Sequence, residues 1–191
     1  MKEPILYRMV RPIITWLFRL IYHPTYIGLN NISTDTKCVL AGNHTNNFDC
    51  LLLISSTKRT IHFLAKDELT KGLKKIIFNN MAIIPVNRKI HDKNALNSGI
   101  NVLNNGGLIG IFPEGTINKT NDTIMPFKIG AIKMAHDTES KIVPFVITGK
   151  YKPFRKSITV EFFKPFAIEN NLDVENKKLM HKIKTELEKK E

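Results

Sequence analysis

Asn43-His44-Thr45-Asn46-Asn47-Phe48-Asp49 sets a histidine and an aspartate with four residues between them. The stretch follows Cys38-Val39-Leu40-Ala41-Gly42, which reads as a short buried strand, and precedes the apolar run Leu51-Leu52-Leu53-Ile54, which reads as the start of a helix. Neighbours on one face of a straight helix are three or four residues apart, so a His44–Asp49 contact needs a bend between strand and helix. The chemistry of such a contact is definite. A neutral imidazole accepts a proton from a hydroxyl near neutral pH, and a carboxylate on its other nitrogen fixes the tautomer and stabilises the imidazolium. No serine adjoins the histidine, so the hydroxyl has to arrive with the substrate. A plainer reading stands beside this one. Asp49 suits a helix N-terminus, and Asn43 to Asn47 suit an ordinary turn. The spacing alone does not choose between them.

Three further segments have the same strand-then-turn form. Phe112-Pro113-Glu114-Gly115-Thr116 follows the apolar run Leu108-Ile109-Gly110-Ile111. Ala82-Ile83-Ile84-Pro85-Val86-Asn87-Arg88 ends on a cation, and Ile142-Val143-Pro144-Phe145-Val146-Ile147 makes a fourth. In this order the segments resemble the four sequence blocks of the 1-acyl-sn-glycerol-3-phosphate acyltransferases, over roughly Tyr26 to Phe166. The resemblance implies transfer of a fatty acyl group from a thioester to the free sn-2 hydroxyl of lysophosphatidic acid, giving phosphatidic acid. It implies that His44 is the general base, that Asp49 orients it, and that the hydroxyl attacks directly, without an acyl-enzyme. The tetrahedral oxyanion then requires backbone N–H donors, either in the turn around His44 or in the Gly115-Thr116 loop. The acyl donor is a thioester of acyl carrier protein or coenzyme A, used as co-substrate, with no resident cofactor. Glycerol-3-phosphate or another lysophospholipid is the nearest alternative acceptor.

The chain departs from the family pattern at three places. Ile117 stands where the family arginine binds the acceptor phosphate, Ala82 replaces a glycine, and Phe145 replaces a common valine. The last two read as packing changes. The first removes a bidentate phosphate ligand, for which lysine is only a point-charge substitute. Arg88 at its strand end is the first replacement candidate, then Lys66, then Lys119 and Lys128, each weighed against an ordinary solvated surface cation. Glu114, Gly115 and Thr116 also make a good turn, and Glu114 is read as shaping the acceptor site by accepting backbone hydrogen bonds.

A net charge of +12 calls for an anionic partner. No nucleic-acid motif accompanies the basic residues, which leaves an anionic membrane surface, a lysophospholipid acceptor and an acidic carrier protein or acyl-CoA. A basic lipid- or nucleic-acid-binding protein without catalysis is the remaining class, with an intact His44 and Asp49 against the idle lipid binder. Residues 1–22 mix eleven large apolar residues with Arg8, Arg11 and Arg19, which fall near one helical face. The rest of the helix is broadly apolar and includes Trp16 and Phe18. That is the pattern of an interfacial amphipathic helix, too interrupted for a transmembrane span, although a helix packed on the core has a similar pattern. Pro4 suits its start and Pro12 a kink or break. The expected placement is peripheral, at the cytoplasmic face of the cell membrane. Cys38 and Cys50 read as reduced thiols, and the six histidines lack metal-ligand spacing.

Strands are expected near 37–42, 60–65, 81–86, 108–112, 142–148 and 157–163, and helices near 48–57, 69–78, 92–104, 129–137 and 173–189. The alternation predicts an α/β fold, a single domain with a mixed, mostly parallel sheet flanked by helices. The Tyr151-Lys152-Pro153 turn makes the last two strands antiparallel. The membrane-associating helical segment takes residues 1–24 and the acyltransferase domain 25–191, with no linker between.

Overall fold

A computed structural model of the chain describes residues 3–70, 80–87, 92–169 and 171–190. Helix α1 (Ile5–Tyr22) and strand β1 (Thr25–Ile27) are followed by β2 (Cys38–Gly42), α2 (Asp49–Ile54), β3 (Ile61–Lys66) and β4 (Ile83–Val86). The order continues with α3 (Lys93–Asn104), β5 (Leu108–Ile111), α4 (Gly130–Asp137), β6 (Lys141–Gly149), β7 (Ile158–Phe162) and α5 (Leu172–Glu188). The strands form one sheet in the order β1-β7-β6-β2-β5-β3-β4. Every pairing is parallel except β6 with β7. The mixed sheet predicted by the Tyr151 turn is therefore present.

Strand β2 lies between β6 and β5 and is buried along its whole length. That is why it reads as a continuous apolar run: a strand covered on both faces has no polar side. Cys38 and Leu40 join one core layer, with α1 and α2. Val39 and Ala41 join the other, with α3, α4 and α5. The parallel strands β2, β5, β3 and β4 all end on the same edge of the sheet, so the turns after Gly42, Ile111, Lys66 and Val86 open onto one crevice.

Several expectations are adjusted. Strand β1 was not anticipated; three residues are too few to show a period. The helix expected over 69–78 falls for the most part on residues outside the described ones, and so does Arg88. Ala82 is more than a packing change. Its φ of 55° lies in the left-handed region that favours glycine, so the methyl group strains the backbone there. Phe145 is a packing change, and its ring covers Gly42, where an added Cβ would stand 2.4 Å from it.

Helix α1 holds the largest correction. It runs without interruption through Pro12, which sits on its exposed side, where water can take the unpaired carbonyl. Tyr7 and Phe18 are buried in the core, and Tyr7 Oη accepts from Ile61 N–H at 3.2 Å. Phe18 thus faces inward rather than sharing a face with Trp16. Arg11 also turns inward, donating to the Lys58 carbonyl and pairing with Glu3, while Arg19 donates to the Ser55 carbonyl at 2.6 Å. The outer arc carries Ile5, Met9, Ile13, Trp16, Leu17 and Leu20, all exposed, with Trp16 at 64%. The helix both packs on the core and leaves a broad apolar arc uncovered. No helix among the described residues is long and apolar enough to cross a membrane.

Candidate active site

The chain leaves β2 at Gly42 and turns before α2 begins at Asp49. Asn43 makes this exit possible. Its side chain is buried and hydrogen-bonds both ways to Ile147 on β6, donating to the carbonyl at 2.9 Å and accepting from the N–H at 2.8 Å. The side chain stands in for the next rung of the ladder while the backbone departs.

The turn then folds His44 onto Asp49. His44 Nδ1 lies 2.8 Å from Asp49 Oδ2. The same oxygen accepts from the N–H groups of Thr45 and Asn46, at 2.6 and 2.8 Å. Oδ1 accepts from Thr45 Oγ1 at 3.2 Å and from Tyr151 Oη at 2.6 Å. Asp49 is fully buried, and these donors keep its charge tolerable away from water. It occupies the helix N-terminus as the plainer reading expected, and it also orients the histidine. With Nδ1–H directed at a carboxylate, Nε2 carries the lone pair and is the basic atom.

A second loop supports the ring from the other side. Phe112, the residue after β5, stacks on the imidazole with centroids 4.1 Å apart and 14° between planes. Glu114 accepts from His44 N–H and from Met125 N–H, each at 2.9 Å. Burial pushes its carboxyl above its ordinary value, and these two N–H groups oppose the rise. Gly115 adopts φ 74°, and its N–H donates to the Phe112 carbonyl at 2.9 Å. The N–H groups of His44, Thr45, Asn46 and Gly115 are therefore committed. Those of Thr116 and Ile117 have no protein acceptor among the described residues. A polar cleft of about 310 Å³ opens beside the dyad, lined by Asn43, His44, Thr45, Glu114, Asn118 and residues 120–123.

A model of the Acyltransferase family matches residues 23–148, more than half of the sequence. The chain belongs to the acyltransferase family. It is similar to the 1-acyl-sn-glycerol-3-phosphate acyltransferase of Borreliella burgdorferi, with 36% identity over 69% of this chain and 53% of that protein. It is 30% identical to the protein of the same name from Bacillus subtilis, over 62% of this chain and 59% of that one. The chain spans about half the length of the relatives it matches. The crystal structure of the 1-acyl-sn-glycerophosphate acyltransferase PlsC from Thermotoga maritima shares the fold, with a TM-score of 0.74 and 23% identity over 96% of this chain and 77% of that one.

In this member of the acyltransferase family the predicted site residues fall into two groups. His44, Asp49, Glu114 and Gly115 are joined by the contacts above. Lys128 is brought to them from the loop just before α4. Its N–H donates to the Pro113 carbonyl at 2.9 Å, and a Cβ added at Gly115 would meet its Nζ at 3.1 Å. Thr116 and Lys119 are exposed on the same loop, and Lys66 is exposed at the end of β3. None of these lysines lines the cleft beside the dyad.

Tyr151 is the residue that sequence reasoning missed. It was read only as part of a turn, and its hydrogen bond to Asp49 spans 102 positions. Burial raises its phenol above the ordinary value, and the Asp49 charge adds to the rise, so it remains a donor. Cys50 is next to Asp49 but is no nucleophile, because burial and that charge push its thiol up to about 12.

Proposed function

We propose that this acyltransferase moves a fatty acyl group from a thioester to the sn-2 hydroxyl of lysophosphatidic acid at an anionic membrane surface, giving phosphatidic acid. The observation that carries the reading is the state of His44. Its Nδ1 is held by Asp49, its Nε2 is free, and among the described residues no serine or cysteine is hydrogen-bonded to the ring. Such a base deprotonates the acceptor hydroxyl as its oxygen attacks the thioester carbonyl. The Thr116 and Ile117 N–H groups are the proposed donors to the oxyanion, since those of His44, Thr45 and Asn46 are taken by Glu114 and Asp49. Collapse breaks the carbon–sulfur bond, and the thiolate takes the proton back from the imidazolium. The names of the matched relatives support the acceptor.

Arg88, Lys66, Lys119 and Lys128 are the cations offered to the acceptor phosphate in place of the family arginine. Lys128 has the strongest positional support, lying over Gly115 of the motif loop. The outward apolar arc of α1 supports peripheral attachment to a membrane, and the proposed side is the cytoplasmic face. The positive charge suits an acidic carrier protein or coenzyme A as acyl donor.

The test is the purified chain with carrier and coenzyme A thioesters against lysophosphatidate, glycerol-3-phosphate and other lysolipids, with products identified by mass. Phosphatidate as the main product is the expected result. A product from glycerol-3-phosphate or from another lysophospholipid alone would favour the second reading. His44→Ala is expected to lower turnover by about two to four orders of magnitude without unfolding the protein. Near-normal turnover would end the mechanism. Lys128→Ala and Arg88→Ala are expected to raise KM for the acceptor more than for the donor.

A further inference from the structure

The turn between β6 and β7 reads Lys150-Tyr151-Lys152-Pro153-Phe154-Arg155-Lys156, four cations and no acid in seven residues. It is rigidly closed. Lys150 N–H donates to the Ser157 carbonyl at 2.9 Å, and Ser157 Oγ donates to the Lys150 carbonyl at 2.7 Å. Phe154 at its tip is 74% exposed and has a φ of 58°. A phenylalanine held in the left-handed region and pushed into solvent is a strained and poorly solvated arrangement, which points to a role outside the fold. Phe154 N–H donates to the Ile21 carbonyl, tying the tip to the last turn of α1, where Leu17 and Leu20 are exposed.

A cavity of about 280 Å³ lies between the two elements, lined by Arg19, His23, Pro24, Tyr26 and Lys156. It contains no carboxylate. The Arg19 guanidinium is fixed there by the Ser55 carbonyl and by the Tyr26 ring, 5.2 Å from the centroid. Lys152, Arg155 and Lys156 have no carboxylate partner among the described residues.

We infer that this cavity is a headgroup site for an anionic phospholipid, and that the β6–β7 turn is a second lipid-contacting element, with Phe154 entering the apolar layer. The inference rests on the membrane reading of α1. A cation cluster beside an exposed aromatic supplies both terms of interfacial binding, Coulombic attraction to phosphodiesters and burial of apolar surface. The occupant differs from the acceptor, whose reacting hydroxyl must reach His44.

Sedimentation of the full chain with phosphatidylcholine vesicles, with and without phosphatidylglycerol, tests this. Arg155→Ala with Lys156→Ala is expected to lose roughly tenfold in affinity for the anionic vesicles and little for the neutral ones. Phe154→Gly is expected to lose several-fold on both, while its melting temperature holds or rises because glycine relieves the strained φ. That rise separates lost lipid contact from lost structure. Turn variants that bind like the parent, while Trp16→Ser with Leu20→Ser is released, would overturn this inference and leave the α1 reading standing. Undiminished binding by both sets would end both. A raised KM of the turn variants for a monomeric, short-chain lysophosphatidate would assign the cavity to the acceptor instead, which also overturns the proposal.

Discussion

Helices α1 and α5 cover opposite faces of the same sheet and have opposite outer surfaces. Helix α5 buries Leu179, Ile183 and Leu187 together with Glu175, and turns its lysines outward, laced by pairs such as Lys182–Glu186 at 2.9 Å and Lys184–Glu188 at 3.7 Å. Helix α1 buries Tyr7 and Phe18, sends Arg11 and Arg19 to backbone carbonyls, and turns tryptophan, leucine, isoleucine and methionine outward. Both are amphipathic, yet only α1 leaves a broad apolar arc exposed. Periodicity shows that a helix has two faces. It does not show which face the protein keeps, and for α1 the protein keeps the narrow one.

The largest test of this contrast exchanges the outer arc. Ile13, Trp16 and Leu20 changed together to Ser are expected to weaken vesicle binding by about a thousandfold or more, since each buried apolar side chain contributes roughly 1.5–3 kcal/mol. The melting temperature should barely move, because all three are exposed in the free protein. Unfolding of this variant in solution would break the comparison. Leu179→Ala on α5 should do the converse, costing about 2–5 kcal/mol of stability in a denaturant titration and leaving vesicle binding intact.

Tyr151→Phe asks whether the α1 side reaches the chemistry. The Tyr151 ring packs edge-on against Phe18 and Tyr22 of α1, with centroids 6.2 and 5.6 Å away, while its hydroxyl holds Asp49. Loss of one hydrogen bond to a carboxylate is worth about 1.5–3 kcal/mol, so kcat is expected to fall by roughly tenfold or more with little change in KM. A purely structural role would instead show as a lower melting temperature with kcat of the folded protein unchanged. Ala82→Gly, just before β4 in the core layer that also holds Tyr7 of α1, should stabilise the protein by about 1 kcal/mol through relief of its positive φ. The smallest effect belongs to the α5 surface. Lys182→Ala should cost roughly 0.3–0.5 kcal/mol and vanish in high salt. Lys182 and Lys189 hold the Glu186 carboxyl below its ordinary value. The stability from Glu186 is therefore complete above the usual glutamate range and is lost as pH falls through the depressed value. Urea titrations across that range read the slope.

The sequence made the dyad, the two motif loops, the mixed sheet and its core strands legible, because each rests on local signals. Apolar runs mark β2 and β6, Asp92 caps α3 by accepting from Asn94 and Ala95 N–H groups, and the residues after Gly42 form a turn. What stayed hidden depends on contacts between distant segments. The inward course of Arg11 is set by the Lys58 carbonyl, the strain at Ala82 by a backbone angle, and the role of Tyr151 by a partner across the fold. Composition and spacing give none of these, since a side chain's direction is decided by what the completed core leaves unsatisfied.

The paired hydrogen bonds between the Asn43 side chain and Ile147 give the site a built-in clock. The Ile147 amide proton lies in the buried stretch of β6, and its acceptor is a side chain next to His44, the proposed general base. That proton exchanges with deuterium only when the Asn43 carboxamide lets go, an event that also frees the backbone on which His44 is mounted. Its exchange rate therefore measures how often the base leaves its working position. Only asparagine combines a donor and an acceptor at this reach, so Asn43→Asp, with an acceptor facing the Ile147 carbonyl, would run the clock faster while every atom of the dyad remained in the chain.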